Sequence, residues 1–248
     1  MSLAKFVAKL SPQRNIVDMS SHADISTPEQ LFACDDREVW LATLERYADA
    51  IQKVSLKRGQ NLIPLDHWYN HEAKASITSR EPWSMTCSDL KQIMLWKITR
   101  GKFRPLMKLI ESNSSESVRE ISSRSFEALK NRDFAAAMEV LTALKGVGVA
   151  TASAVLSLLD PNEFPFMSDE ALLTVLPTTK KDYSIRSYTF LKSKLKSKAE
   201  ALGGSLSADD VGRALWIHTV MLADSQGRRS DVRSSAHGST PPTKKLRR

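Results

Sequence analysis

The sequence predicts a nearly all-α protein organised around one helical hairpin. Three observations predict it. Apolar residues recur at three- and four-residue steps through most of the chain. No segment alternates apolar and polar residues as a half-buried strand would. Two glycines in Lys145-Gly146-Val147-Gly148 interrupt one of the helical runs. No fixed-period repeat is present, and roughly eight to ten helices are expected.

With 248 residues and 42% hydrophobic content, the chain can bury a substantial core without disulfide staples. Its cysteines, Cys34 and Cys87, have no CxxC spacing, which argues against a disulfide framework, a cysteine-ligated zinc site or an iron–sulfur cluster. No apolar run approaches bilayer-spanning length, and the N-terminus lacks a continuous apolar stretch before a small-residue cleavage site, so neither membrane insertion nor secretion is expected. Lys5, Lys9 and Arg14 precede the first acid, Asp18; an ordinary basic N-terminus accounts for this better than a mitochondrial presequence. The net charge is +8. Much of it is terminal, because Arg228, Arg229, Arg233, Lys244, Lys245, Arg247 and Arg248 face only Asp224 and Asp231 between residues 224 and 248.

Residues 1–27 are poorly periodic and predict an irregular arm. The helical domain is expected over 28–224. From Pro28, with Thr27 as N-cap, the spacing of Trp40, Leu44, Tyr47, Ile51 and Val54 places these residues on one helical face, ended by Gly59. Leu62 to Ser79 predicts a helix carrying Leu65, Trp68 and Ile77. His67 and His71 share its face at metal-pair spacing, but without a third ligand they are read as solvated histidines and no metal site is assigned. Ser88 to Thr99 is a further buried helix, closed by Gly101.

The stretch Lys91 to Lys108 holds Lys91, Lys97, Arg100, Lys102, Arg104 and Lys108 and no acid, with Trp96 and Phe103 interleaved. Cations beside aromatic rings at a helix end suit phosphate contact with base stacking; a solvated helix face with Trp96 in the core is the equal alternative. Asn113 to Glu116 is a turn, Val118 to Lys130 a helix, and Arg132 to Leu144 another, with Phe134, Met138 and Leu141 on one face. Ile185 to Leu202 is a helix whose Lys192, Lys194, Lys196 and Lys198 fit solubility as well as DNA. Ser207 caps the last helix, on whose apolar side His218 is expected as a satisfied core residue. From residue 225 to 248 the composition predicts a disordered basic tail ending in Lys244-Lys245-Leu246-Arg247-Arg248, which has the character of a nuclear import signal or a polyanion-binding segment.

Glycine can adopt positive φ or admit a close backbone approach. A helix ending near Leu144 and another beginning at Val149 leave main-chain amides unpaired at a helix N-terminus, an anion site without charged side chains. The small residues Ala150, Ala152, Ser153, Ala154 and Ser157 then permit close helix crossing. Downstream, Pro165-Phe166-Met167-Ser168-Asp169 brings a carboxylate to the start of the next helix, where Ser168 or Asp169 can simply cap it.

The run Leu144-Lys-Gly-Val-Gly-Val-Ala-Thr-Ala-Ser-Ala-Val-Leu, followed after the matching interval by Asp169, resembles the helix-hairpin-helix (HhH-GPD) DNA glycosylase superfamily, which includes endonuclease III, adenine, oxoguanine and alkylpurine glycosylases. The likeness is specific over about 132–176, with the motif itself at about 132–160. Elsewhere it is architectural, except that the block Trp96 to Pro105 resembles a eukaryotic branch. The resemblance implies a two-lobed helical fold with a cleft. Lys145, Gly146, Val147, Gly148, Val149 and Ala150 would grip the backbone of double-stranded DNA, helped by Lys97, Arg100, Lys102 and Arg104. No cofactor is required; members often carry a monovalent cation on the hairpin carbonyls. A modified base would be flipped into the cleft, with Asp169 as the catalytic carboxylate.

Three departures qualify that implication. Bifunctional members carry a nucleophilic lysine where this chain has Ala150, which leaves monofunctional hydrolysis. Lys145 replaces a customary proline, and Glu170 adds a second acid beside Asp169. The expectation is therefore a nuclear, monofunctional, base-excision-repair glycosylase-like protein. The alternatives are a catalytically inactive DNA-binding module and an α-helical protein-interaction domain. Trp68, Trp83 and Trp96 are the candidate base-pocket aromatics.

Overall fold

The computed structural model describes residues 25–58, 62–176 and 182–236, among which the chain forms thirteen α-helices and no β-strand. Most of the expected N-terminal arm, Gly59, and the terminal Lys244 to Arg248 cluster lie outside the described residues.

The apolar run after Pro28 is not one helix but three: α1 (Pro28–Ala33), α2 (Arg37–Glu45) and α3 (Tyr47–Arg58). Capping explains the division. Thr27 and Gln30 form a reciprocal capping box on α1, and Asp36 accepts the Glu38 amide at 3.0 Å to restart the helix as α2. At the break, the Trp40 indole donates to the Cys34 carbonyl at 2.9 Å, so a buried ring satisfies a helix-end acceptor. Trp40, Ile51 and Val54 are nevertheless buried together, as their spacing predicts.

The expected 62–79 helix divides similarly at Glu72 into α4 (Leu62–His71) and α5 (Ala73–Thr78). His67 and His71 sit with ring centroids 4.8 Å apart, and the exposed His67 Nδ1 lies 3.2 Å from Glu72. No cluster of three or more His, Cys, Asp or Glu side chains suited to a metal occurs among the described residues. Cys34 and Cys87 are both free thiols.

Helix α6 (Cys87–Arg100) is the hub, packing against α3, α4 and α5 on one side of the sequence and α7 (Met107–Glu111), α8 (Ser115–Lys130) and α10 (Val149–Ser157) on the other. It starts from a Thr86–Asp89 capping box and buries Leu90, Ile93, Met94, Trp96 and Ile98. Helices α8 and α9 (Phe134–Leu141) form a tight antiparallel pair, turned at Arg132, whose φ is 61°, and cross-linked where Ser125 Oγ donates to the Ala137 carbonyl at 2.7 Å. Beyond α11 (Asp169–Val175) and α12 (Ile185–Leu202), α13 (Ala208–Ala236) packs on α1, α2, α3, α11 and α12. The bounds of α12 are those the sequence predicts, with Ser184 as its N-cap.

Helix α13 continues to Ala236, so helical backbone extends into the segment expected to be disordered from residue 225. No proline interrupts the chain between Ala208 and Ala236, and the packed first half supplies the nucleus from which further turns propagate. His218 departs from expectation too. Its Nε2 is buried without a hydrogen-bond partner, although the ring does bond to the Thr27 backbone, and burial, with Arg46 nearby, lowers its pKa. The buried apolar side chains form one continuous cluster from Leu31 to Met221. No helix among the described residues is long and apolar enough to cross a membrane.

Candidate nucleic-acid interface

The two glycines of the α9–α10 turn serve different ends. Gly146 has φ of 80°, and a Cβ there would lie 3.1 Å from Leu109 Cβ and 3.2 Å from the Ile110 side chain, so one would strain the backbone and crowd its neighbours. Gly148 has an extended backbone, and a Cβ there would meet nothing within 4 Å. Between them Val147 is buried in the core, and Lys145 is fixed by its main chain: its amide donates to Asn113 Oδ1 and its carbonyl accepts from Asn113 Nδ2, both at 2.9 Å.

Gly148 is the N-cap of α10 and offers no side-chain cap. Its carbonyl takes the amides of Thr151 at 2.8 Å and Ala152 at 2.9 Å, while the first amides of the helix, at Val149 and Ala150, precede any intrahelical acceptor. The rest of α10 is buried, and its small side chains let the Tyr69 hydroxyl donate to the Ala154 carbonyl at 2.6 Å.

The segment leading to Asp169 is held by three helices. Asp209 of α13 accepts the Phe166 amide at 2.7 Å, Ser153 of α10 accepts the Met167 amide at 3.0 Å, and Tyr188 of α12 donates to the Pro165 carbonyl at 3.3 Å. Upstream, Glu163 is clasped by Lys192 and by Lys196, the latter at 2.6 Å. Burial would raise the Glu163 pKa, but the two ammonium groups lower it below its ordinary value. Lys198 reaches Asp35 at 2.7 Å. These α12 lysines are thus ion-pair anchors. Ser168 caps α11 through the Ala171 amide at 3.2 Å, leaving that duty to a side chain other than Asp169.

These elements enclose a cavity of about 190 Å³. One wall is Gly148, Val149 and Ala150 at the start of α10. The other contribution comes from Lys97 and Arg100 of α6 and from Lys102 and Arg104 of the following loop; Asp169, Glu170 and Tyr183 also line it. The Tyr183 hydroxyl donates to Asp169 Oδ1 at 2.6 Å and accepts from Arg104 Nη2 at 3.0 Å. Burial, then the carboxylate it serves, pushes the Tyr183 pKa up to about 12, so the phenol stays a donor. Burial, reinforced by the Arg104 charge and opposed by Asp169, brings Lys97 down to about 8. Arg100 is 5% exposed, lies 3.9 Å over the Trp216 ring, has an unpartnered Nε, and makes no salt bridge among the described residues.

Of the residues singled out from sequence, Lys97, Arg100, Lys102, Arg104, Gly148, Val149, Ala150 and Asp169 meet in this cavity. Lys145, Gly146 and Val147 do not line it. Val147 is a core anchor whose side chain cannot touch a ligand, Gly146 shapes the turn, and the Lys145 side chain is exposed beside it. Trp96 is settled as core: it is 3% exposed, stacks on Tyr69 with centroids 3.6 Å apart, and donates to Asp66 at 2.9 Å. Phe103, at 63% exposed, is the free ring of the basic block. Lys91 is paired with Glu111. Trp83 is covered by the Lys130 ammonium 4.2 Å from its centroid. Neither Trp68 nor Trp83 lines the cavity. Tyr183 and Glu170 were not among the predicted site residues; a lone tyrosine after Lys180-Lys181-Asp182 carries no spacing signal, whereas Glu170 adjoins Asp169 and was legible as a neighbouring charge.

Compared with known proteins, the chain matches no family model, no curated protein and no solved structure.

Proposed function

We propose that this chain is a DNA-binding, monofunctional glycosylase-like hydrolase of two-lobed helix-hairpin-helix type. It would act in the nucleus on a modified base in double-stranded DNA. The observation that carries this reading is the single cavity lined both by the uncapped N-terminus of α10 and by Asp169. Phosphate bound at the α10 amides is favoured by the helix dipole and by Lys102 and Arg104. A cavity of about 190 Å³ admits a small planar group and no duplex, so the substrate must present an extruded nucleotide. The exposed Phe103 ring, between two cations, is suited to stack on the base left behind.

In this reading Asp169 stabilises positive charge developing on the sugar as the N-glycosidic bond breaks, or takes a proton from the attacking water. Tyr183 orients its Oδ1. No cofactor is needed for either step, and a monovalent cation on the turn carbonyls would serve binding alone. The same Tyr183 contact also favours a second reading, a DNA-binding module without catalysis, because it already occupies one carboxylate oxygen.

Duplexes bearing uracil, alkylated, oxidised or mismatched bases, scored for alkali-labile sites, separate the two. Base release lost in Asp169→Asn with DNA affinity intact supports the hydrolase. Tight, salt-dependent binding without release from any duplex supports the module.

A further inference from the structure

Arg100 stands apart from the other cations that line the cavity. Lys102 is exposed and Lys97 and Arg104 are half-buried, but Arg100, at the C-terminal end of α6, is 5% exposed. Its guanidinium lies 3.9 Å from the centroid of the Trp216 ring, 5.3 Å from that of Phe166 and 5.4 Å from that of Trp96. Its Nε is buried and unpartnered, and no carboxylate among the described residues forms a salt bridge with it. Asp209, which lines a narrow crevice together with Arg100, is already engaged by the Phe166 amide at 2.7 Å and by Arg213 at 3.3 Å. An uncompensated buried guanidinium is costly unless a ligand supplies acceptors. Arg100, Phe166 and Ser168 line both that crevice and the cavity that holds Asp169, so such a ligand can arrive through the cavity.

We infer that Arg100 reads the extruded base and selects a 6-oxopurine, such as hypoxanthine, by donating two hydrogen bonds to its O6 and N7. The inference rests on the proposed function for bringing a nucleotide into the cavity. With phosphate at the start of α10 and the sugar at Asp169, the base is the part left to meet the one buried cation and the rings beside it. A guanidinium carries its donors in a planar fork and has no acceptor. It therefore pairs with two adjacent acceptors on one edge and rejects an edge that presents a donor. The 6-oxopurine edge offers such a pair, whereas adenine places an amino group where O6 would be. In cytosine the adjacent pair includes O2, which lies beside the glycosidic bond on the sugar side.

The same rule narrows the substrate. An 8-oxoguanine carries a hydrogen on N7 and a 7-alkylated purine carries an alkyl group there, so each loses one of the two acceptors. Guanine keeps both, but its pairing with cytosine makes extrusion more costly than that of a mispaired hypoxanthine. Contact with Trp216 holds the guanidinium before a base arrives, so little side-chain entropy is lost when the pair of hydrogen bonds forms.

The test uses the full chain and three duplexes that differ at one nucleotide, which carries hypoxanthine, 7-deazahypoxanthine or adenine. Each is the 2′-fluoroarabino form, which resists hydrolysis, and each stands opposite a tetrahydrofuran residue so that no base pair is broken. The expected result is an affinity for the hypoxanthine duplex roughly 10- to 100-fold above that for adenine, with the 7-deaza form between them. In Arg100→Met, or in Arg100→Lys if thermal denaturation shows the first variant unfolded, the ratio should fall towards one. Equal wild-type affinity for hypoxanthine and adenine overturns the inference, as does equal affinity for hypoxanthine and its 7-deaza form. A ratio kept in the variant while all three affinities fall together overturns it too, because a merely structural role weakens every duplex alike. Discrimination in binding without base release from any hydrolysable duplex removes the hydrolase and leaves this reading standing; base release without discrimination does the reverse, and no binding to any duplex removes both.

Discussion

The two walls of the cavity hold a ligand by different means. The α10 wall offers main-chain amides and no charged side chain; the α6 wall offers Lys97, Arg100, Lys102 and Arg104. Amides at a helix start are fixed by the fold and cost no side-chain entropy when a phosphate arrives, whereas lysine and arginine heads must be ordered or desolvated. The first wall therefore sets geometry and the second sets charge. Asp169 lies where they meet, so substitutions can be ranked by which contribution they remove.

The largest effect is expected at the junction itself. Asp169→Asn keeps the shape and the Ser168 cap, and should slow base release by on the order of 10²–10³-fold with DNA affinity preserved. Single-turnover release measured beside filter binding checks this; equal rates would remove Asp169 from the chemistry.

Within the main-chain wall, the two glycines should come apart. Gly146→Ala forces a side chain into left-handed backbone and against Leu109, costing about 1–2 kcal/mol of stability from the backbone alone. Gly148→Thr places a β-branched side chain in open space at an N-cap position, where Thr and Gly are nearly equivalent, so stability should move by less than about 0.5 kcal/mol. Its hydroxyl, however, competes for the amides that would hold phosphate. Affinity should fall for every DNA sequence alike, by about tenfold if one charge-assisted hydrogen bond of about 1.5 kcal/mol is lost. Thermal denaturation and binding isotherms for both variants test the division; unchanged affinity in Gly148→Thr would move the ligand away from α10.

The legibility of the site follows the same division. The hairpin and Asp169 could be read because their signal is local: two glycines, a run of small residues and a fixed interval. The cations of the second wall could be read as a charged block, but their meeting with α10 depends on how α6 crosses it, which no local spacing encodes. Trp96 and Phe103 look alike in sequence, and only the packing of α4 against α6 sends one ring inward. Helix bounds were legible where a cap stands alone, as at Ser184. They were missed where a cap interrupts a continuing apolar face, as at Asp36, because short helices in series preserve the periodicity of one long helix. Tyr183 had no signal, since its partners Asp169 and Arg104 lie on other elements.

On the side-chain wall, Lys97→Met should raise stability at neutral pH. The folded-state pKa, about 8, lies below the ordinary value of 10.5. Below about pH 8 both states are charged and the folded state bears the cost of burial. Between 8 and 10.5 the unfolded chain holds the proton longer, so wild-type stability rises with pH through that window. The methionine variant lacks this rise, and its advantage should shrink as pH approaches 10.5. Denaturant unfolding at pH 7 and pH 10 measures the difference; a constant gap would mean that Lys97 is not strained by burial.

The smallest effect is expected at Lys102, which is exposed and contributes charge with little geometry. If it neutralises one phosphate, Lys102→Ala should reduce the slope of log affinity against log salt by about 0.9 and weaken binding uniformly across sequences. Gly148→Thr, which removes no charge, should leave that slope unchanged while still lowering affinity. Salt titrations of the two variants thus separate charge from geometry: equal slopes for Lys102→Ala and the wild type would mean that Lys102 neutralises no phosphate.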